Sequence, residues 1–200
     1  SDQVAHEMRT PLTRLQQQIQ HLCRTPDSVE QQQQVHHELE RVLNTFNTLL
    51  RISRIESGGA RPEEQSCDLQ QLLVDAAELY QPLLEAEGGV LTLDVPHHTV
   101  RAAGDPNLWF QCFSNLLDNA VKYAPAPQRI EVSLGVDNGI VVQIADNGPG
   151  IPAGDAEKVL SRFYRLERDR DSQGYGLGLS FVAAVCKRQG VQLQLTNGQT

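Results

Sequence analysis

Two amphipathic patterns at the start of the chain constrain its fold more than any other feature. In the first, apolar residues recur three or four positions apart, as on one face of a helix; they are Val4, Met8, Leu12, Leu15, Ile19 and Leu22. A second such pattern follows a break at residues 25–28 and continues to about Ile55; it consists of Val35, Leu39, Val42, Phe46, Leu49 and Ile52. Two helices alone cannot enclose a core, because each apolar face needs more than one neighbour. We therefore predict a helical hairpin over residues 1–57 that forms a homodimer with a four-helix bundle.

The sequence changes character after a polar linker at residues 58–65. Helical patterns start at the potential cap residues Asp68 and Asp105 and again at Gly178. Between and after them, alternating or apolar runs predict strands at 91–95, 130–134, 140–145 and 191–195. We therefore expect a second domain over residues 66–200, an α+β layer with helices on one face of a mixed sheet.

Charge and cysteine content exclude several classes of protein. The 17 basic and 25 acidic residues give a net charge of −8, which argues against nucleic acid as a partner. The four cysteines are far apart in sequence, with no C-x-x-C pair, so we expect reduced thiols and no zinc site. No apolar run approaches the roughly 18 residues of a membrane span. We expect a cytoplasmic portion of a longer protein, with any membrane contact made through segments outside this chain.

Asn115, Asn119 and Lys122 form one row on the helix predicted from Asp105 to about Tyr123. Asparagine is a mediocre helix former, so two of them on one face of a short helix call for an explanation. Their carboxamide oxygens could coordinate Mg²⁺, and Lys122 could offset phosphate charge. The alternative is a solvated helix face.

Two glycine-rich stretches have the composition of ligand-binding loops. Asp146 directly follows a predicted strand, where its carboxylate could accept the exocyclic amino group of adenine, while Gly148 and Gly150 permit close backbone approach. The alternative is a simple hairpin turn. The second stretch, 174–179, opens a helix whose N-terminal amides attract anions; its relevant residues are Gly174, Gly176, Leu177 and Gly178. It matches neither the dinucleotide fingerprint nor a Walker loop.

The segment 153–173 between these stretches is polar and rich in arginine. We predict a mobile lid with Phe163 as its apolar anchor, or alternatively a disordered charged loop.

His6 and Glu7 stand side by side, just before Pro11. A neutral imidazole nitrogen can attack a γ-phosphorus, and an adjacent carboxylate can orient the ring. Pro11 has no N–H for the carbonyl of Glu7, so the helix should bend here. In isolation, a solvated His-Glu pair on an ordinary helix is the simpler interpretation.

Five stretches together resemble the conserved boxes of bacterial sensor histidine kinases. They are His6–Leu12 (H box), Asn115–Tyr123 (N box), Asp146–Gly150 (G1 box), Arg162–Arg165 (F box) and Gly174–Leu179 (G2 box). Any one of them is weakly specific, but the five occur in the family's order and cover nearly the whole chain. The resemblance implies a dimerisation and histidine-phosphotransfer hairpin, followed by a Bergerat-type (GHKL) α/β sandwich that binds ATP.

The resemblance also implies a role for individual residues. His6 would be the phosphoacceptor, Glu7 its acid/base partner, and Thr10 the residue that orients water for dephosphorylation of a partner regulator. Asn119 would bind Mg²⁺ with Asn115 beside it, and Asp146 would accept from adenine. Tyr123 would lie against the nucleotide, and phosphates would meet Lys122, Arg162 and Arg165.

The function expected from this family is ATP-dependent phosphorylation of His6 and transfer of the phosphoryl group to an aspartate of a response regulator receiver domain. The protein would then be the cytoplasmic portion of an inner-membrane sensor. Two alternatives remain: a GHKL-type ATPase without a histidine acceptor, and a nucleotide-binding scaffold. One departure from the family is that such domains usually continue with a further turn and strand beyond the region of Asn197, so we expect a short sheet or an unprotected edge.

Overall fold

A computed structural model describes residues 29–58, 65–136, 138–169 and 174–197, together with the single positions 13, 16, 17 and 19. Those four positions are helical, within the first predicted helix, whose other residues lie outside the described part. The second predicted helix is α1, Val29–Glu56. Within the described residues, no helix is both long and apolar enough to cross a membrane.

Helix α1 presents apolar side chains on two faces. The first set is buried and consists of Val42, Leu49, Ile52 and Ile55. The second set is exposed and consists of Leu39, Leu43, Phe46 and Leu50. The single apolar pattern of the sequence therefore divides between two surfaces, only one of which is covered in the described chain.

The described residues after α1 combine three α-helices with two small sheets. The helices are α2 (Leu69–Ala86), α3 (Pro106–Tyr123) and α4 (Gly178–Gln189). The main sheet contains β2 (Val90–Asp94), β4 (Arg129–Gly135) and β5 (Val141–Asp146) in the order β2-β4-β5, with β2 parallel and β5 antiparallel to β4. An antiparallel ribbon pairs β1 (Ser66–Asp68) with β3 (Arg101–Ala103). We did not predict this ribbon, because three residues are too few to show an alternation.

Local side-chain chemistry sets the helix ends. The Asp68 carboxylate accepts from the backbone N–H groups of Gln70 and Gln71, which caps α2. Asp105 likewise accepts from the N–H of Asn107 at 2.8 Å, one residue before the proline that opens α3. Gly190, with φ of 68°, ends α4 in the left-handed conformation that glycine adopts readily.

The core lies between one face of the main sheet and the three helices. Alternate residues of β4 are buried, namely Ile130, Val132 and Leu134. They belong to one cluster with Leu73 and Leu84 of α2, Phe113 and Leu117 of α3, and Phe181 and Val185 of α4. Ile52 of α1 belongs to the same cluster and is fully buried. The mixed sheet with helices on one face agrees with the prediction, and α1 packs against this part of the chain.

The strand predicted at 191–195 is not formed, and this prediction was wrong. Leu193 does pack against the core, as the alternation suggests, but residues 191–197 make no strand pairing. A strand requires a partner backbone as well as an apolar face, and alternation encodes only the face.

Candidate active site

The N-box face of α3 lies against the start of α4. Asn115 donates through Nδ2 to the carbonyl of Gln111 at 2.8 Å. A Cβ added to Gly178 would lie 3.1 Å from Asn115 Oδ1. The absence of a side chain at Gly178 therefore lets the carboxamide approach the first turn of α4.

Lys122 connects the end of α3 to the G2 box. Its Nζ donates to the Tyr123 hydroxyl at 2.9 Å and lies 4.6 Å from the centre of the Tyr123 ring. A Cβ at Gly174 would lie 3.1 Å from the same Nζ. The ammonium group is thus placed beside the glycine loop that precedes α4.

The G1 box begins where β5 ends. The exposed Asp146 accepts from the N–H of Gly148 at 2.7 Å through Oδ1, and no described residue donates to its second oxygen. A Cβ at Gly148 would overlap Oδ1 and lie 3.3 Å from the carbonyl oxygen of Tyr123. The arrangement holds one oxygen of the carboxylate and leaves the other to accept from a ligand.

Asn147 fastens this loop to the neighbouring strand. Its Oδ1 accepts from the N–H of Arg129 at 2.8 Å, and its Nδ2 donates to the carbonyl of Pro127 at 3.3 Å. Because Arg129 is the first residue of β4, these bonds extend the sheet pairing beyond the end of the ladder.

The F box folds directly onto the G2 box. Phe163 donates its N–H to the carbonyl of Gly176 at 2.9 Å, and a Cβ at Gly176 would lie 2.5 Å from the carbonyl oxygen of Tyr164. Phe163 adopts φ of 64°, which is uncommon for an aromatic residue and costs on the order of 1–3 kcal/mol. Its side chain packs against the core, as expected for the anchor of this segment.

Helix α4 opens toward the same region without a side-chain cap. It begins at Gly178 after the buried Leu177, which occupies the N-cap position and makes no side-chain hydrogen bond to the N–H groups of the first turn. Such groups carry partial positive charge and bind anions. The N, G1, F and G2 boxes therefore meet around one end of α3 and the start of α4.

Residues 155–164 are joined by a small polar cluster. Asp155 accepts from the Tyr164 hydroxyl at 2.7 Å and from Lys158 Nζ at 2.9 Å. The Tyr164 bond, followed by the Lys158 bond, lowers the pKa of the Asp155 carboxyl, and the same contacts raise the pKa values of Tyr164 and Lys158. This cluster fixes the F box to the first part of the predicted lid.

Two of the predicted phosphate ligands contact protein groups instead. Arg162 forms an ion pair with Glu56 of α1, and Arg165 donates to the carbonyl of Asp169. Their predicted contacts with phosphates stay predictions. The predicted catalytic residues His6, Glu7 and Thr10 lie outside the described residues.

Comparison with known proteins identifies this arrangement. Residues 2–58 match the family model of the His Kinase A (phospho-acceptor) domain, and residues 104–200 match that of the histidine kinase-, DNA gyrase B- and HSP90-like ATPases. The chain belongs to the sensor histidine kinases. The predicted fold class, a phosphotransfer hairpin followed by a GHKL-type ATP-binding domain, is confirmed.

Individual members of this family are similar to this chain over most of its length. The sensor protein QseC of Escherichia coli K12 is 32% identical over 201 residues, covering 98% of this chain and 43% of QseC. The sensor histidine kinase CpxA of the same organism is 34% identical over 182 residues, covering 90% of this chain and 39% of CpxA. The structure of the Acinetobacter baumannii histidine kinase AdeS has the same fold, with a TM-score of 0.72 over 92% of this chain and 86% of AdeS at 23% identity. The chain thus spans less than half the length of the two curated relatives.

The described part of this histidine kinase offers oxygen donors that suit magnesium. It contains no group of three or more His, Cys, Asp or Glu residues able to hold a metal. Asn119 is half-buried on the N-box face, and no described residue hydrogen-bonds to its carboxamide. Mg²⁺ commonly takes one or two protein oxygens and completes its shell with water and phosphate oxygens. Asn119, with Asn115 one turn earlier, fits that requirement.

Sequence reasoning missed two residues that hold the G1 box of this kinase. Asn147 lies within the box but gave no sign that its side chain would bond to Arg129 and Pro127. Asn197 bonds to Ile151 from 46 positions away in sequence, and no local pattern predicts such a contact.

Proposed function

We propose that this chain is the core of a Mg²⁺- and ATP-dependent protein histidine kinase that phosphorylates His6. The observation that carries the proposal is the meeting of the N, G1, F and G2 boxes, in a chain that also matches a phosphoacceptor domain. We place the phosphotransfer domain at residues 1–57, the linker at 58–65 and the ATP-binding domain at 66–200.

In this proposal adenine lies at the G1 box. The unoccupied oxygen of Asp146 accepts from the exocyclic amino group, and the Tyr123 ring lies against the nucleotide. The phosphates extend toward Lys122 and the start of α4, where the ammonium group and the backbone N–H groups offset their charge. Gly148, Gly150, Gly174, Gly176 and Gly178 let the backbone approach the ligand.

Asn119, with Asn115 beside it, would hold the magnesium ion. The ion held there would offset negative charge on the phosphates of the nucleotide. Most of the rate enhancement then comes from positioning and charge stabilisation rather than from covalent chemistry by the pocket.

The phosphorylated group is the imidazole of His6. A neutral ring nitrogen forms a bond to the γ-phosphorus while the bond from that phosphorus to the ADP oxygen breaks, and ADP leaves. Glu7 accepts the proton that the ring loses. The phosphoryl group then passes to an aspartate carboxylate on a response regulator as the N–P bond breaks, and Glu7 returns its proton to the ring, which regenerates neutral His6.

The proposed partners are supported by the family and by the exposed apolar face of α1. We propose a homodimer through residues 1–57, which would cover the exposed apolar set of α1. The histidine kinase ThkA, whose fold is similar at 20% identity, has been solved in complex with the response regulator TrrA. We propose a receiver domain as the partner here as well, in the cytoplasmic portion of a membrane sensor.

Labelled ATP separates this proposal from its rivals. Wild-type chain should acquire acid-labile label from γ-labelled ATP, His6→Gln should acquire none, and His37→Gln, which changes an exposed histidine of α1, should match wild type. A gyrase-like ATPase would instead release phosphate equally in all three, and a scaffold would bind ATP without either reaction. Label retained by His6→Gln would refute the assignment of His6 as the phosphoacceptor.

The proposed dephosphorylation role of Thr10 is separable from kinase activity. Thr10→Ala should phosphorylate His6 at the wild-type rate and lose dephosphorylation of the phospho-regulator, because the residue orients only the attacking water. Equal rates of dephosphorylation by Thr10→Ala and wild type would refute this role of Thr10.

A further inference from the structure

Asn197 joins the segment after α4 to the end of the G1 box. Its Oδ1 accepts from the N–H of Ile151 at 2.9 Å, and its Nδ2 donates to the carbonyl of Ile151 at 2.7 Å. The carboxamide thus pairs with both backbone groups of one residue, as a neighbouring strand would. Asn197 belongs to none of the five boxes.

This contact closes one end of a loop whose other end is already held. At the start, Asp146 is the last residue of β5, and Asn147 is bonded to Arg129 and Pro127. At the end, Asn197 holds Ile151, and Arg168 donates to the carbonyl of Gly150. The residues between include two glycines, which have the greatest backbone freedom to lose. Fixing both ends restricts the loop to few conformations.

The close approach of Asn197 depends on the glycine it meets. A Cβ at Gly150 would lie 2.6 Å from Asn197 Oδ1, and Gly150 has φ of +66°. The carboxamide therefore packs directly on the G1 backbone.

We propose that Asn197 is a positioning residue of the nucleotide site, which acts through Ile151 to keep the G1 loop in its binding conformation. The inference rests on the proposed function, because it takes Asp146 as the adenine acceptor. Asn197 itself contacts no substrate. Without it, ATP must order the loop on binding, so affinity falls while the chemistry of bound ATP is unchanged.

Two substitutions separate this role from a general structural one. Asn197→Ala removes both hydrogen bonds. Asn197→Asp keeps the acceptor for the Ile151 N–H and replaces the donor to the Ile151 carbonyl with an oxygen, which that carbonyl repels.

The test measures ATP affinity and autophosphorylation of the full 200-residue chain. Asn197→Ala should bind Mg·ATP about tenfold more weakly, as expected for two lost hydrogen bonds, with a raised KM and an unchanged kcat. Asn197→Asp loses one of the two bonds and gains a repulsion, so its KM should rise as well, again with an unchanged kcat. Asn138→Ala and Asn138→Asp, in the exposed turn between β4 and β5, are the matched controls and should behave as wild type.

The outcomes distinguish this inference from the proposed function. Wild-type chain that fails to bind ATP would refute the proposed function and the inference with it. Wild-type chain that binds ATP, with both Asn197 variants equal to it, would refute the inference alone. A lowered kcat at unchanged KM would also overturn the positioning role.

Discussion

Gly148 shows how closely single residues determine the candidate site. Its own N–H holds Asp146, and a Cβ added to it would lie 3.3 Å from the Tyr123 carbonyl oxygen and so close to the Asp146 carboxylate that the carboxylate would be displaced. The sequence identified Asp146 and Gly148 because both belong to a contiguous stretch after an apolar strand. It could not identify Asn197, whose partner is distant along the chain and whose own neighbours form no motif.

Gly148→Ala should weaken ATP binding about tenfold to hundredfold, because overlap with Asp146 costs roughly 1–3 kcal/mol. Calorimetric titration with Mg·ATP measures the change. Gly154→Ala is the matched control, since a Cβ there meets no described atom within 4 Å and its φ is not positive. Equal affinity of Gly148→Ala and wild type would mean that ATP does not bind at the G1 box as proposed.

At the scale of elements, Tyr80 links α2 to the N-box helix. Its hydroxyl donates to Asp118 Oδ1 at 2.6 Å and lies 3.1 Å from the carbonyl oxygen of Ser114. Burial, followed by the bond to Asp118, raises the pKa of the Tyr80 hydroxyl. The helix limits could be predicted from the sequence, because they depend on local cap residues such as Asp68 and Asp105. The contact of Tyr80 with Asp118 could not, because it depends on how two helices pack together.

Tyr80→Phe should lower the free energy of unfolding by about 1–2 kcal/mol at neutral pH, because it removes a donor to a carboxylate and keeps the ring. Because the Tyr80 hydroxyl has a raised pKa in the folded state, its contribution to stability is fully present below the unfolded-state pKa of about 10. The contribution is lost as pH rises from there through the folded-state pKa. The difference between wild type and variant should therefore shrink at alkaline pH in urea denaturation. Asp118→Asn keeps an acceptor for the Tyr80 hydroxyl and should lower the free energy of unfolding by less than Tyr80→Phe does. A larger loss in Asp118→Asn would contradict the stabilising role of this hydrogen bond.

At the scale of the whole molecule, α1 has one covered and one exposed apolar face. Its buried apolar set packs against the ATP-binding part, and Arg188 adds a hydrogen bond from α4 to the carbonyl of Ile55 at 3.3 Å. Two further interactions lie at the edge of this interface. Glu56 of α1 forms an ion pair with Arg162, and Arg51 of α1 donates a hydrogen bond to Gln111 of α3. The sequence predicted that α1 needs more than one neighbour. It could not assign each apolar residue to a neighbour, because one helical pattern contains both sets.

Leu43→Glu should dissociate the dimer without disturbing the contact of α1 with the ATP-binding part, because Leu43 is 51% exposed in the single chain. Sedimentation equilibrium should show a large rise in the dimer dissociation constant. Asn47→Glu introduces the same charge at an exposed polar position of α1 and should remain dimeric. A fully dimeric Leu43→Glu chain would place the dimer interface elsewhere.

Asn119 of the N box tests most directly whether His6 receives its phosphoryl group from ATP bound at the N, G1, F and G2 boxes. Phosphopeptide mapping under neutral conditions, after incubation with Mg·ATP, compares Asn119→Ala with Asn138→Ala. We expect phosphohistidine at His6 in the wild type and in Asn138→Ala, and none in Asn119→Ala, which lacks the oxygen proposed to bind magnesium. Phosphate on another residue of the wild-type chain, or undiminished phosphorylation of His6 in Asn119→Ala, would contradict the proposed function.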